Sequence, residues 1–146
     1  MKILFEKLFR GSSNLSELEK LILHCVRGNI DDSIVELWDR QVQAINKVQR
    51  LPGGVEVDFY RMKRGRPIFD ATLAFPNRTT ELVFAKARVD FSPIGSLVSK
   101  LSCVKGFLFC IEYEGNSNYF EENIFLDPTL SYSLSCEMLA DLSKKN

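Results

Sequence analysis

A single histidine, a single tryptophan and four scattered cysteines leave this 146-residue chain few routes to familiar chemistry. No Cys-x-x-Cys pair occurs, and the spacing of Cys25, Cys103, Cys110 and Cys136 matches no zinc pattern. Cys25, Cys103 and Cys110 have apolar neighbours, as in Phe109-Cys110-Ile111, so buried free thiols are expected rather than disulfides. His24 and Cys25 are adjacent on a helical pattern and point roughly 100° apart, so they cannot act as base and nucleophile from one helix. No glycine-rich loop of the Walker or Rossmann type is present. The expectation is a non-enzymatic domain with no catalytic residue, cofactor or metal.

Long apolar runs are also missing. Nothing approaches the roughly 20 apolar residues that span a bilayer, so no membrane span is expected. The first ten residues do not have the form of an export signal, because Glu6 and Lys7 interrupt a three-residue apolar run. They read as a short amphipathic helix with Phe5, Leu8 and Phe9 on one side. A cytoplasmic location follows as the expectation. Overall charge is balanced, with 19 basic and 19 acidic residues, which argues against nucleic acid as a partner. The basic turn Lys63-Arg64-Gly65-Arg66, flanked by Tyr60 and Phe69, reads as solvated.

One absence is local. Between Gly106 and Ser143 there is no Lys or Arg, while Glu112, Glu114, Glu121, Glu122, Asp127, Glu137 and Asp141 give the span a charge of −7. The rest of the chain carries the opposite sign. A patch of one sign raises the rate of encounter with an oppositely charged partner. The same charges are also satisfied if this segment packs beside basic strands, with Lys86 and Arg88 as neighbours.

What is present is periodicity. Ser16 and Glu19 have the spacing of a capping box, and Leu18, Leu21, Ile22 and Cys25 then share a helical face. Gly28 suits a left-handed stop, and Asp31 or Asp32 suits the start of a second helix. In that helix Ile34, Leu37, Trp38, Ile45 and Val48 predict a run to about Gln49, with the Trp38 ring covering the inner face of a sheet. Pro52-Gly53-Gly54 breaks the pattern. Alternation then predicts strands over 55–60, 69–75 and 83–91 as an antiparallel meander. Ser92-Pro93 is read as opening a short helix that buries Leu97, Val98 and Leu101. Strands at 104–113 and 120–126 follow as a hairpin about Gly115-Asn116-Ser117-Asn118. Leu130, Leu134, Met138, Leu139 and Leu142 predict a closing helix.

The fold class is therefore α+β in a single domain over 1–146. N-terminal helices pack on an antiparallel sheet of about five strands, with a C-terminal helix. The order helices, three strands, helix, two strands, helix resembles that of small acidic secretion chaperones and of small bacterial immunity proteins. That resemblance implies a chain that masks another protein. The expected surface is the acidic hairpin, with Glu112, Glu114, Tyr119, Phe120, Glu121 and Glu122 docking a basic protein partner. Two other constellations are weaker. The oxygen-rich run Glu112–Asn118 lacks the register of a calcium loop. The outer-face carboxylates Asp58, Asp70 and Glu112 would form an acid–base pair only if the strand order brings them together. The alternative function is a small-molecule binder or enzyme with His24 or Cys110 in a pocket between sheet and helices.

Overall fold

The structure, a computed structural model, describes residues 14–146. The helix expected around Phe5, Leu8 and Phe9 lies outside the described residues. Helix α1, Glu17–Arg27, starts at the expected capping box. Ser16 Oγ accepts from the Glu19 N–H at 3.1 Å, and Glu19 Oε1 accepts from the Ser16 N–H at 2.8 Å. Leu18, Ile22, Leu23 and Val26 are fully buried along it. Gly28 does cap the helix, but in right-handed geometry with φ −69°. Asp31 accepts from the Ser33 N–H and starts a 3-10 turn that leads into α2, Val35–Ala44.

Helix α2 stops at Ala44, before the expected Gln49, because the next residues belong to a sheet. Asn46 makes the switch. Its N–H donates to the Tyr60 carbonyl, and its side chain bonds both the N–H and the carbonyl of Met62. Strand β1, Lys47–Arg50, then pairs antiparallel with β2, Glu56–Tyr60. A two-stranded ribbon follows, β3 (Met62–Lys63) and β4 (Arg66–Pro67), turning at Arg64 and Gly65. Three long strands come next: β5, Glu81–Phe91; β6, Gly95–Val104; and β7, Phe107–Glu114. Helix α3 covers Ser117–Leu126, and β8, Tyr132–Met138, is the last strand.

The main sheet has six antiparallel strands in the order β1-β2-β7-β6-β5-β8. The α+β class stands, with six strands rather than five. Four local assignments change. The segment expected as a strand at 69–75 is a 3-10 turn at Ala71–Leu73, capped by Asp70. The helix expected after Ser92-Pro93 is β6. The strand expected at 120–126 is α3, and the closing helix expected around Leu134 and Met138 is β8. The element order behind the likeness to secretion chaperones and immunity proteins is therefore not the order of this chain.

The three described helices cover one face of the sheet. Trp38 is 1% exposed there, with Phe75 at 6.2 Å and Phe84 at 6.1 Å between ring centroids. Phe84 reaches this core as the extra residue of a bulge in β5, which also leaves Val83 exposed. Gly54 lets the Pro52–Gly54 turn approach the start of α3. Its φ is +65°, and a Cβ there would lie 2.6 Å from Asn116 Oδ1.

Candidate functional site: the open sheet face and the outer side of α3

The second face of the sheet has no described helix across it. Side chains from five strands meet there in register. Glu56 on β2 faces Glu112 on β7, Glu112 faces Lys100 on β6, Lys100 faces Lys86 on β5, and Lys86 faces Glu137 on β8. The row reads acid, acid, base, base, acid. Lys100 Nζ reaches Glu114 Oε1 at 3.8 Å. The acidic residues of β7 thus lie beside a base from β6, while Lys86 and Arg88 sit one strand further away.

At the acidic end of this row, two strands bring four groups together. Asp58 is the register partner of Cys110, next to the Glu56–Glu112 pair. A carboxylate oxygen of Glu56, one of Glu112 and the Cys110 sulfur all lie within 4.8 Å of one another. Asp58 is 8% exposed, and its Oδ1 has no hydrogen-bond partner among the described residues. The Glu56 carboxyl is pushed up to about 7, chiefly by its hydrogen bond to Asp58, then by burial and the Asp58 charge. Burial, with the nearby carboxylates, pushes the Cys110 thiol up to about 12. Of the carboxylates singled out from the sequence, Asp58 and Glu112 meet here. Asp70 does not, because it caps the turn at Thr72 with a 3.0 Å bond.

The residues expected to form an acidic hairpin separate. They are not a hairpin, since β7 runs into a helix capped by Asn116. Glu112 and Glu114 stand on the open sheet face. Phe120 points into the core, 8% exposed and 5.8 Å from the Phe91 ring, so it is not available as an anchor. Glu121 turns inward to accept from Ser16 Oγ at 2.6 Å, beside the Glu19–Arg50 ion pair, and burial raises its carboxyl above the usual range. Tyr119 and Glu122 remain exposed on the outer side of α3.

That outer side carries residues not singled out from the sequence. Phe125 is 86% exposed and Leu126 is 78% exposed, the most exposed large apolar side chains described. Tyr132, at the start of β8, lies 6.0 Å from Phe91, so Phe91 links it to Phe120 on α3. The sequence signal was present: Phe125-Leu126 precedes Asp127-Pro128, where a helix end exposes its last residues.

An open cleft of about 460 Å³ lies between the Asn29–Ile34 turn and the end of β8, lined by Ile30, Asp31, Ile34, Met138 and Leu142 among others. Neither His24 nor Cys110 lines it. His24 is half-buried in the last turn of α1. All four cysteines are free thiols, and those of Cys25 on α1 and Cys136 on β8 meet across the helix–sheet interface. No described helix is long and apolar enough to cross a membrane. Comparison of the chain with protein-family models, curated proteins and solved structures found no match.

Proposed function

We propose that this chain is a non-enzymatic protein-binding domain whose contact surface is the outer side of α3 with the neighbouring start of β8. One observation carries the reading. Phe125 and Leu126 are 86% and 78% exposed inside the one long span of the chain that has no Lys or Arg. Large apolar side chains held in water are what a partner covers. The exposed acids Glu122, Asp127 and Glu137 belong to the same span. The complementary partner is a protein with an apolar pocket rimmed by Lys or Arg. A chain that masks a basic protein, as an immunity-type inhibitor or a secretion chaperone does, would use such a surface. The docking expected of the acidic hairpin moves to the helix that stands in its place.

A photo-crosslinking amino acid at Phe125, compared with one at Arg88 on the open sheet face, tests this in the native host. The expected result is one protein adduct from position 125 and none from position 88. Its yield should fall when Glu122 and Asp127 are changed to Lys. Equal adducts from both positions, or yields indifferent to the charge reversal, would remove the proposal. An adduct of twice the chain's mass would replace it with self-association.

A further inference from the structure

We infer that the corner formed by Glu56 and Asp58 on β2 with Cys110 and Glu112 on β7 is a binding site for one divalent transition ion of the zinc class. Sheet register, not chance proximity of loops, fixes the four positions: two residues two apart on one strand face two residues two apart on the other. Successive residues of a strand alternate faces, so all four side chains share the open face. The three potential ligand atoms of Glu56, Cys110 and Glu112 lie within 4.8 Å of one another. Metal–ligand bonds of about 2.0–2.3 Å draw such atoms somewhat closer, and rotation of two glutamate side chains supplies the difference.

A second observation points into the same corner. Asp58 is more than nine-tenths buried; its carboxylate shares a hydrogen bond with Glu56, and its Oδ1 is left without a partner among the described residues. A buried acceptor oxygen normally has a partner, so the unpaired Oδ1 marks a place for a cation. The nearest register base does not serve, because Lys100 reaches Glu114. Among the described residues, Glu56, Asp58 and Glu112 are in no ion pair.

The thiol selects the ion. Calcium and magnesium take oxygen ligands and gain nothing from sulfur, whereas zinc and cobalt accept thiolate and carboxylate together. Binding displaces the Cys110 proton, so the ion's affinity falls as pH is lowered. Glu112 is exposed, which leaves a path for the ion from solvent.

The test uses the full chain in a Cys25→Ser background, so that the Cys25–Cys136 pair cannot supply ligands. After dialysis against chelator, cobalt(II) is titrated in and the thiolate-to-cobalt charge-transfer band is followed in the near ultraviolet. The expected result is one ion per chain, with the band lost in Cys110→Ser and the affinity at least tenfold weaker in Glu112→Gln. Glu112 is exposed, so that variant should fold, and circular dichroism verifies it. Zinc should displace the cobalt, while excess calcium should not. Absence of the band at millimolar cobalt, its persistence in Cys110→Ser, or displacement by calcium would each overturn the assignment.

Discussion

The guanidinium of Arg61 holds the main-chain carbonyl of Gln41 with two nitrogens, Nε at 3.2 Å and Nη2 at 3.1 Å. Its third bond, from Nη1 at 2.7 Å, goes to the carbonyl of Leu108. The Gln41 side chain completes the tie, donating to the carbonyls of Leu73 and Gly106 and accepting from the Leu108 N–H. Arg61 is 8% exposed and has no carboxylate partner among the described residues, and burial lowers its pKa to about 10. These two residues fasten α2 to the turn between β6 and β7. Arg61→Ala strips donors from two buried carbonyls, at roughly 1–3 kcal/mol each. Urea unfolding of the variant should show a clearly lower midpoint. A midpoint equal to the parent's would mean that water replaces the guanidinium without loss.

Trp38→Ala removes the ring that packs on Phe75 and Phe84. Truncations of this type cost about 3–5 kcal/mol. The variant has no tryptophan fluorescence left to follow, so circular dichroism in urea is the measurement. A loss below about 1 kcal/mol, no more than an ordinary substitution costs, would mean that the pocket collapses around the missing ring.

The Glu56 carboxyl makes stability depend on pH. Its folded pKa of about 7 stands above the ordinary 4.5, so between those values the folded chain keeps a proton that the unfolded chain has released. Stability from this group is therefore greatest at low pH and declines as pH rises through that window. Glu56→Gln removes the decline. In buffer containing chelator, the variant should melt higher than the parent at pH values above the window and about level with it below. An equal shift at both ends would show that Glu56 does not hold its proton.

Gly54→Ala places a methyl group 2.6 Å from Asn116 Oδ1 and 2.9 Å from the Asn118 nitrogen, at a backbone φ of +65°. The left-handed conformation alone costs about 1–2 kcal/mol with a side chain. A lower melting temperature and faster amide exchange at Asn118 are expected. Unchanged exchange at Asn118 would show that the turn and the start of α3 are not coupled.

The thiols should resist alkylation while the chain is folded. Cys110 and Cys136 are each raised from 9.0 to about 12 by burial and neighbouring groups, and burial raises Cys103 further. Each pKa unit lowers the thiolate fraction about tenfold at neutral pH, so reaction of Cys110 with iodoacetamide should be much slower than that of an ordinary thiol. Mass spectrometry before and after urea unfolding measures it. Fast native labelling of Cys110 would place the thiol in water.

The sequence made the helical start, the fold class and the Trp38 core legible because capping chemistry and apolar stripes are local signals. Two of its errors share one cause: residues four apart lie on one face of a helix and on one face of a strand alike. Leu97 and Leu101 fit both periods, and the deciding residue between them is Ser99, a buried polar side chain that breaks the apolar alternation of β6. Leu134 and Met138 repeat the ambiguity, with Cys136 on the inward side between them. Asn116 reads as a turn residue, whereas its side chain starts a helix, and the two uses draw on the same chemistry. The Glu56–Asp58–Cys110–Glu112 corner was not legible, because the pairing of β2 with β7 is a long-range fact that no local pattern contains.

That pairing also has a consequence for how the chain assembles. Strands β5, β6 and β7 join through short turns, whereas β2 reaches β7 only by closing a long loop across β5 and β6. Closing long loops is slow relative to forming hairpins. Pulse-labelled hydrogen exchange should therefore protect the amides of β5 to β7 before those of β2, and the reverse order would contradict this. The four groups proposed to hold a metal are thus strangers until this long-range seam of the sheet has closed, and an ion bound across that seam would act as its latch.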